Sequence, residues 1–187
     1  MDEALRELGE QIVAALPAVT GYDVAYGELT ITAEAQKILD VLNYLRDDSQ
    51  CRFRQLVDIT GVDNPSREQR FDVVYHMVSL HNNQRIRVKI MTDEATPVPS
   101  ATAIFPSAGW YERETWDLYG VMFSDHPDLR RILTDYGFEG FPLRKDFPLT
   151  GRVEMFFDET QWRCVYRPNK VENRVLIPKA WPGVDRG

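Results

Sequence analysis

The chain has 187 residues and a mass of 21.6 kDa, which corresponds to one domain, or to one domain with an additional arm. Hydrophobic residues make up 43% and charged residues 27%, which excludes collagen-like and wholly disordered chains, and no run reaches the ~18 apolar residues of a transmembrane helix. The net charge of −7 arises in residues 1–50, which hold 10 acidic and three basic side chains, and such an acidic region argues against a nucleic-acid partner.

The first predicted element is an amphipathic helix. Leu5, Leu8 and Ile12 fall on one helical face, which predicts a helix over about residues 2–16 that stops near Pro17. Its acidic charges are either an ordinary solvated helix face or an acidic docking patch. Because the start of the chain is acidic, neither a secretory signal nor a transit peptide is expected.

A strand, a helix and a second strand are predicted next. Leu29 to Thr32 has the pattern of a strand, and Thr32 is a candidate N-cap for the helix that follows. That helix has apolar residues at 3.6-residue spacing from Ala35 to Leu45 and is expected to end near Asp47. Cys51 to Thr60 alternates apolar and polar residues, which predicts a half-buried strand.

A β-hairpin follows a turn at Gly61 to Gln69 and indicates the fold class. Phe71 to Leu80 is predicted to be an interior strand, His81 to Gln84 a tight turn, and Arg85 to Ile90 the returning strand with one basic face. Thr92 to Pro106 contains three prolines and is predicted to be a linker or an edge segment. This order favours an α+β fold, a mostly antiparallel sheet with helices packed on one face.

A charged helix is predicted to run from its N-cap, Ser107, to about Tyr119, with Gly120 ending it. Glu112 and Glu114 are two positions apart and therefore point about 200° away from each other on a helix. They cannot act together on one substrate, so a polar network or a partner contact is favoured over catalysis. Within the same helix, Arg113 and Asp117 are spaced to form an ion pair.

The remaining chain is predicted to be an extended arm. His126 to Leu133 is predicted to be a short helix with Pro127 in its first turn, and residues 153–166 are predicted to form a short hairpin. The last twenty residues are expected to be extended and polar. Residues 105–166 hold 14 of the 21 aromatic side chains, and aromatic residues are enriched at protein interfaces. We therefore predict an α+β core domain over 1–120 and an extended, partner-binding C-terminal arm with a short hairpin over 121–187.

Few side chains are available to bind a metal. The two cysteines, Cys51 and Cys164, fall short of the ~4 thiolates of a typical iron–sulfur cluster. The three histidines, His76, His81 and His126, show no zinc-binding spacing. Neither a Walker loop nor a Gly-x-Gly-x-x-Gly nucleotide loop is present. The chain is therefore predicted to hold no metal or nucleotide, and its cysteines are predicted to be reduced and structural.

One motif resembles a known family. Its positions in the charged helix and just beyond it are Glu112-Arg113-Glu114, Asp117-Leu118-Tyr119, His126, Arg130 and Ile132-Leu133. Further matching positions are Gly61-Val62-Asp63, Arg70 to Tyr75, Asp135 to Gly140 and Pro142 to Leu149. Over about residues 50–166 the chain resembles the family of the C subunit of NADH-quinone oxidoreductase, the bacterial respiratory complex I, with no departure inside the signature.

The resemblance implies a structural subunit of the hydrophilic arm of that complex. Members of the family carry no flavin or iron–sulfur centre, because FMN and the clusters belong to neighbouring subunits. The implied partners are chiefly the quinone-site subunit and the subunit that holds the terminal iron–sulfur cluster. The implied location is peripheral, on the cytoplasmic face of the bacterial inner membrane, or on the matrix side in an organelle.

The family signature implies partner-binding residues and no catalytic ones. The candidates are Glu112, Arg113, Glu114, Asp117, Tyr119, His126, Arg130, Arg131, Tyr136, Phe138, Arg144, Lys145, Asp146 and Phe147. We expect the segment 123–151 to lie across the quinone-site subunit. The basic residues expected to meet its carboxylates are Arg130, Arg131, Arg144 and Lys145. We also expect Glu112, Arg113 and Asp117 to form an internal network at the root of this segment.

Two alternatives from other classes are considered. The first is a self-sufficient hydrolase that uses Glu114 and His126, which would show turnover as an isolated chain. The second is the equivalent subunit of a related membrane-bound hydrogenase or ferredoxin-linked complex. The proteins that co-purify with the chain discriminate between this second alternative and the NADH-linked complex.

Overall fold

The computed structural model describes residues 2–171. Most of the chain outside the loops forms short strands, as expected for alternating apolar residues. Its elements are α1 (Asp2–Ala15), β1 (Val19–Ala25), β2 (Glu28–Ala33), α2 (Ile38–Asp47), β3 (Gln55–Asp63), β4 (Phe71–Ser79), β5 (Gln84–Thr92), β6 (Val98–Pro99), α3 (Ala108–Tyr119), β7 (Phe123–Ser124), β8 (Val153–Asp158) and β9 (Arg163–Pro168).

Five strands form the main sheet in the order β1-β2-β5-β4-β3. Three of its four strand pairs are antiparallel, and β2 pairs with β5 in parallel. The pair β4–β5 is the hairpin predicted from the sequence, closed by a tight turn at residues 80–83. The α+β fold class with a mostly antiparallel sheet is therefore confirmed.

Alternation along the strands separates an apolar face from a polar one. On the apolar face, Ile31, Val88, Tyr75 and Ile59 align across four neighbouring strands, and all four are buried. The helices supply further buried side chains to the same core, among them Ile12, Ile38, Leu42, Leu45 and Ala108. Each fully buried Leu or Ile side chain contributes roughly 1.5–3 kcal/mol to folding, so this continuous layer holds sheet and helices together.

The opposite face of the sheet is lined by charges that pair with one another. Arg87 on β5 donates to His76 on β4 at 3.1 Å and also contacts Glu28 on β2. Lys89 forms an ion pair with Asp72 at 2.8 Å. The basic face predicted for β5 is thus present, and two of its basic side chains have partners within the sheet.

Three local predictions differ from the structure. Strand β1 was not predicted, because residues 19–25 lack a clear alternation. Thr32 does not cap α2, since β2 continues through Ala33 and a short 3-10 helix at Ala35–Lys37 precedes α2. Strand β3 begins four residues later than predicted, at Gln55, and runs on to Asp63, inside the predicted turn.

The helix predicted at residues 126–133 is absent, and this prediction was wrong. The backbone N–H groups of Ile132 and Leu133 donate to the Asp117 carboxylate at 3.0 and 2.8 Å. In a helix over these residues, the same N–H groups would donate to carbonyls four positions earlier. A distant side chain therefore takes the donors that the helix would need.

Contacts divide the chain into two compact units, Met1–Asp146 and Phe147–Gly187. The division falls after Asp146, whereas the boundary predicted from the sequence lay after Gly120, because side chains of α3 bind the segment 121–146. The second unit contains the predicted hairpin, formed by β8 and β9. The prediction that the last twenty residues are extended lies mostly outside the described residues. No helix within residues 2–171 combines the length and apolarity needed to span a bilayer.

Candidate functional site

The signature residues cluster around helix α3 and the segment 121–146 that packs along it. The helix starts after Ser107, which occupies the N-cap position without a side-chain cap bond, and it ends at Gly120. Gly120 has φ +79°, and a Cβ there would lie 2.5 Å from Nη2 of Arg144 and 2.6 Å from the Phe141 ring. Glycine meets both demands, the left-handed backbone and the close approach of the segment.

Glu112 is fully buried beside a short 3-10 helix that precedes α3. Its Oε2 accepts a hydrogen bond from the Ser100 hydroxyl at 2.6 Å, and its Oε1 accepts one from the Ala101 N–H at 2.7 Å. Burial raises the pKa of Glu112, and the bonds from Ser100 and Ala101 offset only part of that effect. The carboxyl group thus fixes the chain at residues 100–101 against α3.

His126 has both ring nitrogens engaged with backbone. Its Nδ1 accepts the N–H of Asp128 at 3.0 Å, and its Nε2 lies 3.0 Å from the carbonyl oxygen of Gly109. Because Nδ1 is an acceptor, Nε2 carries the proton and donates to Gly109. The Glu112 carboxylate is 3.9 Å away. This histidine links the segment to the first turn of α3, and the geometry leaves no ring nitrogen for acid–base chemistry.

Arg113 and Asp117 hold the segment to α3 from one side of the helix. Arg113 donates through Nε to the carbonyl of Arg130 and through Nη2 to the carbonyl of Arg131, both at 3.0 Å. Asp117 accepts the N–H groups of Ile132, Leu133 and Thr134 on a single oxygen, Oδ2. The spacing of Arg113 and Asp117 had suggested an ion pair between them, but the two side chains do not pair with each other. Each instead binds polar backbone groups of the loop.

The Asp117 carboxylate is buried and charged. Its Oδ1 accepts from Arg131 Nη1 at 2.7 Å and from the Thr134 hydroxyl at 2.6 Å. Burial by itself would raise the pKa of Asp117, but the bonds from Thr134, Leu133 and Arg131 outweigh it and hold the pKa well below its usual range. A carboxylate in such a ring of donors is ionised at every physiological pH.

Arg131 is enclosed by aromatic rings on the segment and on α3. Its guanidinium lies 5.6 Å from the ring centre of Trp116, 5.7 Å from that of Phe138 and 5.5 Å from that of Phe141. It also donates to the carbonyl of Gly140 at 3.1 Å. Cation–π contacts of this kind are worth ~0.5–2 kcal/mol each, so Arg131 organises the loop around Asp117.

Arg144 closes the far end of the helix. It donates to the carbonyl of Tyr119 at 2.6 Å and to Glu94 at 3.0 Å, and its guanidinium lies over the rings of Phe71 and Phe141. Because the last carbonyls of a helix lack intrahelical partners and carry partial negative charge, an arginine at this position stabilises the C-terminus of α3.

Asp63, at the end of β3, connects the segment to the sheet. It accepts two bonds from Arg70, at 2.6 and 2.9 Å, and one from the backbone N–H of Lys145 at 2.6 Å. The bonds from Arg70 lower the pKa of Asp63 despite its burial. Arg70 also pairs with Glu94 at 2.9 Å and with Asp146 at 3.0 Å. This network anchors the segment just before the end of the first unit.

The other predicted site residues lie outside these networks or only touch them. Tyr119 packs its ring over Gly61, where a Cβ would come within 2.7 Å. Arg130 is exposed and pairs with exposed Asp128 at 2.8 Å. Glu114 is half-buried, Tyr136 and the Lys145 side chain are exposed, and Phe147, in the second unit, lies 5.8 Å from the Arg152 guanidinium.

Arg131 and Arg144, which were expected to meet carboxylates of another subunit, also have partners inside the chain. Each already has a carboxylate and a backbone carbonyl as partners within the chain. These partners were not predicted, because Asp117 and Glu94 are distant in sequence from the arginines that they bind. Contact of the two arginines with carboxylates of another subunit stays a prediction. Glu112, Arg113 and Asp117 were expected to form one network at the root of the segment. All three bind groups of the same chain, but Glu112 binds residues 100–101, whereas Arg113 and Asp117 bind the segment.

Several residues of the site were missed by sequence reasoning. Ser100, Glu94 and Phe141 complete the networks of Glu112, Arg144 and Arg131. Only Ser100 carried a local signal, since a serine before a short helical turn is a common N-cap. Within residues 2–171, no three His, Cys, Asp or Glu side chains group as metal ligands do. Absence of metal and of cofactor in the working protein stays a prediction.

Comparison with known proteins gives one family. Residues 31–153 match the model of the respiratory-chain NADH dehydrogenase 30 Kd subunit family. The C subunit of NADH-quinone oxidoreductase from Parvibaculum lavamentivorans is 63% identical over 172 residues, which are 91% of this chain and 86% of that protein. The protein of the same name from Methylorubrum populi is 61% identical over 190 residues, covering 98% of this chain and 86% of that protein.

A chain of a solved structure is also similar, at lower identity. A chain of the membrane-bound sulfane sulfur reductase, an archaeal respiratory membrane complex, superposes with a TM-score of 0.66 at 29% identity. The match covers 77% of this chain and 85% of that one. The family match and the high identity over most of the length agree with the signature found in the sequence. The chain therefore belongs to the respiratory-chain NADH dehydrogenase 30 Kd subunit family.

Proposed function

We propose that this chain is a structural subunit of the hydrophilic arm of NADH:quinone oxidoreductase and bears no redox cofactor of its own. The assembly transfers electrons from NADH through FMN and iron–sulfur clusters to quinone and couples this transfer to proton translocation. Those groups belong to neighbouring subunits in this proposal. The chain contributes shape and contact surface, at the cytoplasmic face of the bacterial inner membrane or the matrix side in an organelle.

The observation that carries the proposal is that charged side chains of the family signature bind groups of this same chain. Glu112, Asp117 and Arg144 bind backbone or side chains of the same chain, and His126 binds two backbone groups. A catalytic acid or base needs a free position within hydrogen-bond reach of a substrate. Side chains that are already bonded internally support a positioning role, and the engagement of both ring nitrogens of His126 opposes the hydrolase alternative, which needs that histidine as an acid or base.

We further propose that the partners are the quinone-site subunit and the subunit that holds the terminal iron–sulfur cluster. The segment that α3 holds in place exposes apolar side chains suited to a protein interface, namely Met122, Leu133, Tyr136 and Leu143. Arg130 and Lys145 remain as exposed basic groups that can meet a partner's carboxylates. Arg131 and Arg144 serve in this proposal to shape the segment from within.

The alternative assembly is a related membrane-bound hydrogenase or ferredoxin-linked complex. The similarity to the archaeal sulfane sulfur reductase chain shows that related modules occur in other respiratory complexes. Its identity is 29%, against 63% for a relative from NADH-quinone oxidoreductase, and this difference favours the NADH-linked assembly.

Purification of the tagged chain from membranes in mild detergent, followed by quantitative mass spectrometry, tests the proposal. We expect the flavin-bearing NADH subunit and the quinone-site subunit to be recovered in equal molar amounts with the chain. Deletion of the chain should abolish NADH:quinone activity of the membranes while NADH:ferricyanide activity, which needs only the flavin end, persists. Recovery of a nickel–iron hydrogenase subunit in place of the NADH subunit would establish the alternative.

A further inference from the structure

The hairpin of the second unit has one apolar face exposed. Strands β8 and β9 pair antiparallel, with Val153 opposite Pro168, Met155 opposite Tyr166 and Phe157 opposite Cys164. Because side chains alternate between the two faces of a strand, these residues share one face. Trp162 joins them through an edge-on contact with Phe157, at 5.4 Å between ring centres. Five of these side chains are 50–78% exposed: Val153, Met155, Phe157, Trp162 and Tyr166.

The other face of the same hairpin carries its charged side chains together with Phe156 and Val165. Arg167 forms an ion pair with Glu154 at 2.5 Å, and its guanidinium covers the ring of Phe156 at 4.2 Å. The turn is closed by Asp158, which accepts the N–H groups of Thr160 and Gln161. The charges of the hairpin are thus confined to this face and to the turn, and the apolar face carries none.

The area of the apolar face and the two-stranded form of its sheet are both unfavourable for permanent contact with water. Scaling ordinary side-chain areas by the observed exposures gives an area on the order of 500 Å², at the upper end of what monomers expose. An isolated two-stranded hairpin is also only marginally stable in water and needs a further layer against it. The face is therefore expected to be covered in the working protein.

We propose that this face, defined by Val153, Met155, Phe157, Trp162 and Cys164 with Tyr166 at its side, docks on an uncharged, apolar surface of another subunit of the assembly. The absence of charge on the face requires an uncharged partner surface, because burial of an unpaired charge is strongly unfavourable. A second copy held by this face alone is the poorer occupant, since about 500 Å² is less than the ~800 Å² per partner of a stable interface. A neighbouring subunit that also contacts the segment along α3 does not need this face to supply the whole interface. The inference rests on the proposed function and adds to it a second docking element, separate from the segment along α3.

A charge placed at the centre of the face tests the inference in the assembled complex. Met155→Lys keeps a long aliphatic side chain on the strand but adds a charge that the docked state would bury. Thr160→Lys adds the same charge to the exposed turn of the same hairpin and serves as the matched control. Retention of the chain, measured as its molar ratio to the quinone-site subunit after detergent purification, should fall about tenfold for Met155→Lys and stay unchanged for Thr160→Lys.

A photocrosslinking amino acid at position 157 identifies the occupant directly. We expect Phe157→p-benzoylphenylalanine to crosslink to another subunit in intact membranes, and the same amino acid at Thr160 to do so far less. A crosslink confined to the chain's own residues or to a second copy would overturn the inference, as would equal retention of the two lysine variants. If the wild-type chain itself fails to co-purify with complex I subunits, the proposed function fails first, and the two failures are thereby distinguished.

Discussion

Substitution of Asp117 tests most directly whether the signature side chains hold the segment 121–146 to α3. It accepts five hydrogen bonds, three from backbone N–H groups, one from Thr134 and one from Arg131. In Asp117→Asn, one oxygen remains, and the NH₂ group must face either the three N–H donors or the guanidinium. Breaking one partner of a buried, hydrogen-bonded ion pair costs about 3–5 kcal/mol, a large share of the ~5–15 kcal/mol that stabilises a typical domain.

Asp128→Asn is the matched control, because Asp128 pairs with Arg130 and both side chains are exposed. Water screens the charges of an exposed pair, so this variant should unfold in urea almost as the wild type does. The Asp117 variant should lose about 3 kcal/mol of unfolding free energy. Hydrogen exchange of the amides of Ile132, Leu133 and Thr134 should accelerate specifically in the Asp117 variant.

A double-mutant cycle with Arg131→Met separates the ion pair from the backbone bonds. We expect the two substitutions to be less than additive by about 1–3 kcal/mol, since each one alone already breaks the pair. Equal losses in the Asp117 and Asp128 variants, or unchanged amide exchange at residues 132–134, would refute the view that this carboxylate holds the segment to α3.

Three further predictions follow from the same contacts. Asp63 and Asp117 have pKa values below their usual range, so the stability that they contribute is complete well above the ordinary pKa of about 3.9 and is lost as pH falls through the folded-state values. When unfolding in urea is measured from pH 7 to pH 2, the midpoint urea concentration should start to decrease once the pH is below about 5. A midpoint that does not change with pH would contradict this prediction. Gly120→Ala should destabilise the chain by at least about 1 kcal/mol more than Gly27→Ala, because both positions have positive φ but only Gly120 is crowded; equal melting temperatures would show that crowding is irrelevant. Arg113→Met should lower the amount of assembled complex without changing the KM for quinone in the complex that remains, and a raised KM with normal assembly would be the opposite outcome.

Local patterns sufficed for the regular elements of the fold. The period of α1, the alternation in β4 and β5, and the stop at Gly120 all depend on residues that are neighbours in sequence. Each of these predictions is confirmed, because helix and strand periodicity is set by which side chains must face the core. The missed strand β1 has a partly exposed pattern, which carries too little of that signal.

The sequence indicated which residues belong to the site, but it did not predict which groups they contact. The signature singled out Glu112, Arg113, Asp117 and Arg144, and all four bind groups inside the chain, yet their partners lie elsewhere along it. The distances in sequence range from 11 residues for Glu112 with Ala101 to 50 for Arg144 with Glu94. No helical or strand period relates such positions, so the pairing of Arg113 with Asp117 and the helix at 126–133 were reasonable locally and wrong in three dimensions.

By itself, the sequence determined the family, the α+β class and the concentration of aromatic residues that points to a partner. Only the tertiary structure decided that Arg131 and Arg144 face inward and that the hairpin of β8 and β9 leaves an apolar face uncovered. The physical reason is that a buried charge is tolerated only where donors and acceptors from several distant segments converge on it. Convergence of that kind is a property of the folded chain and leaves no periodic trace in the order of its residues.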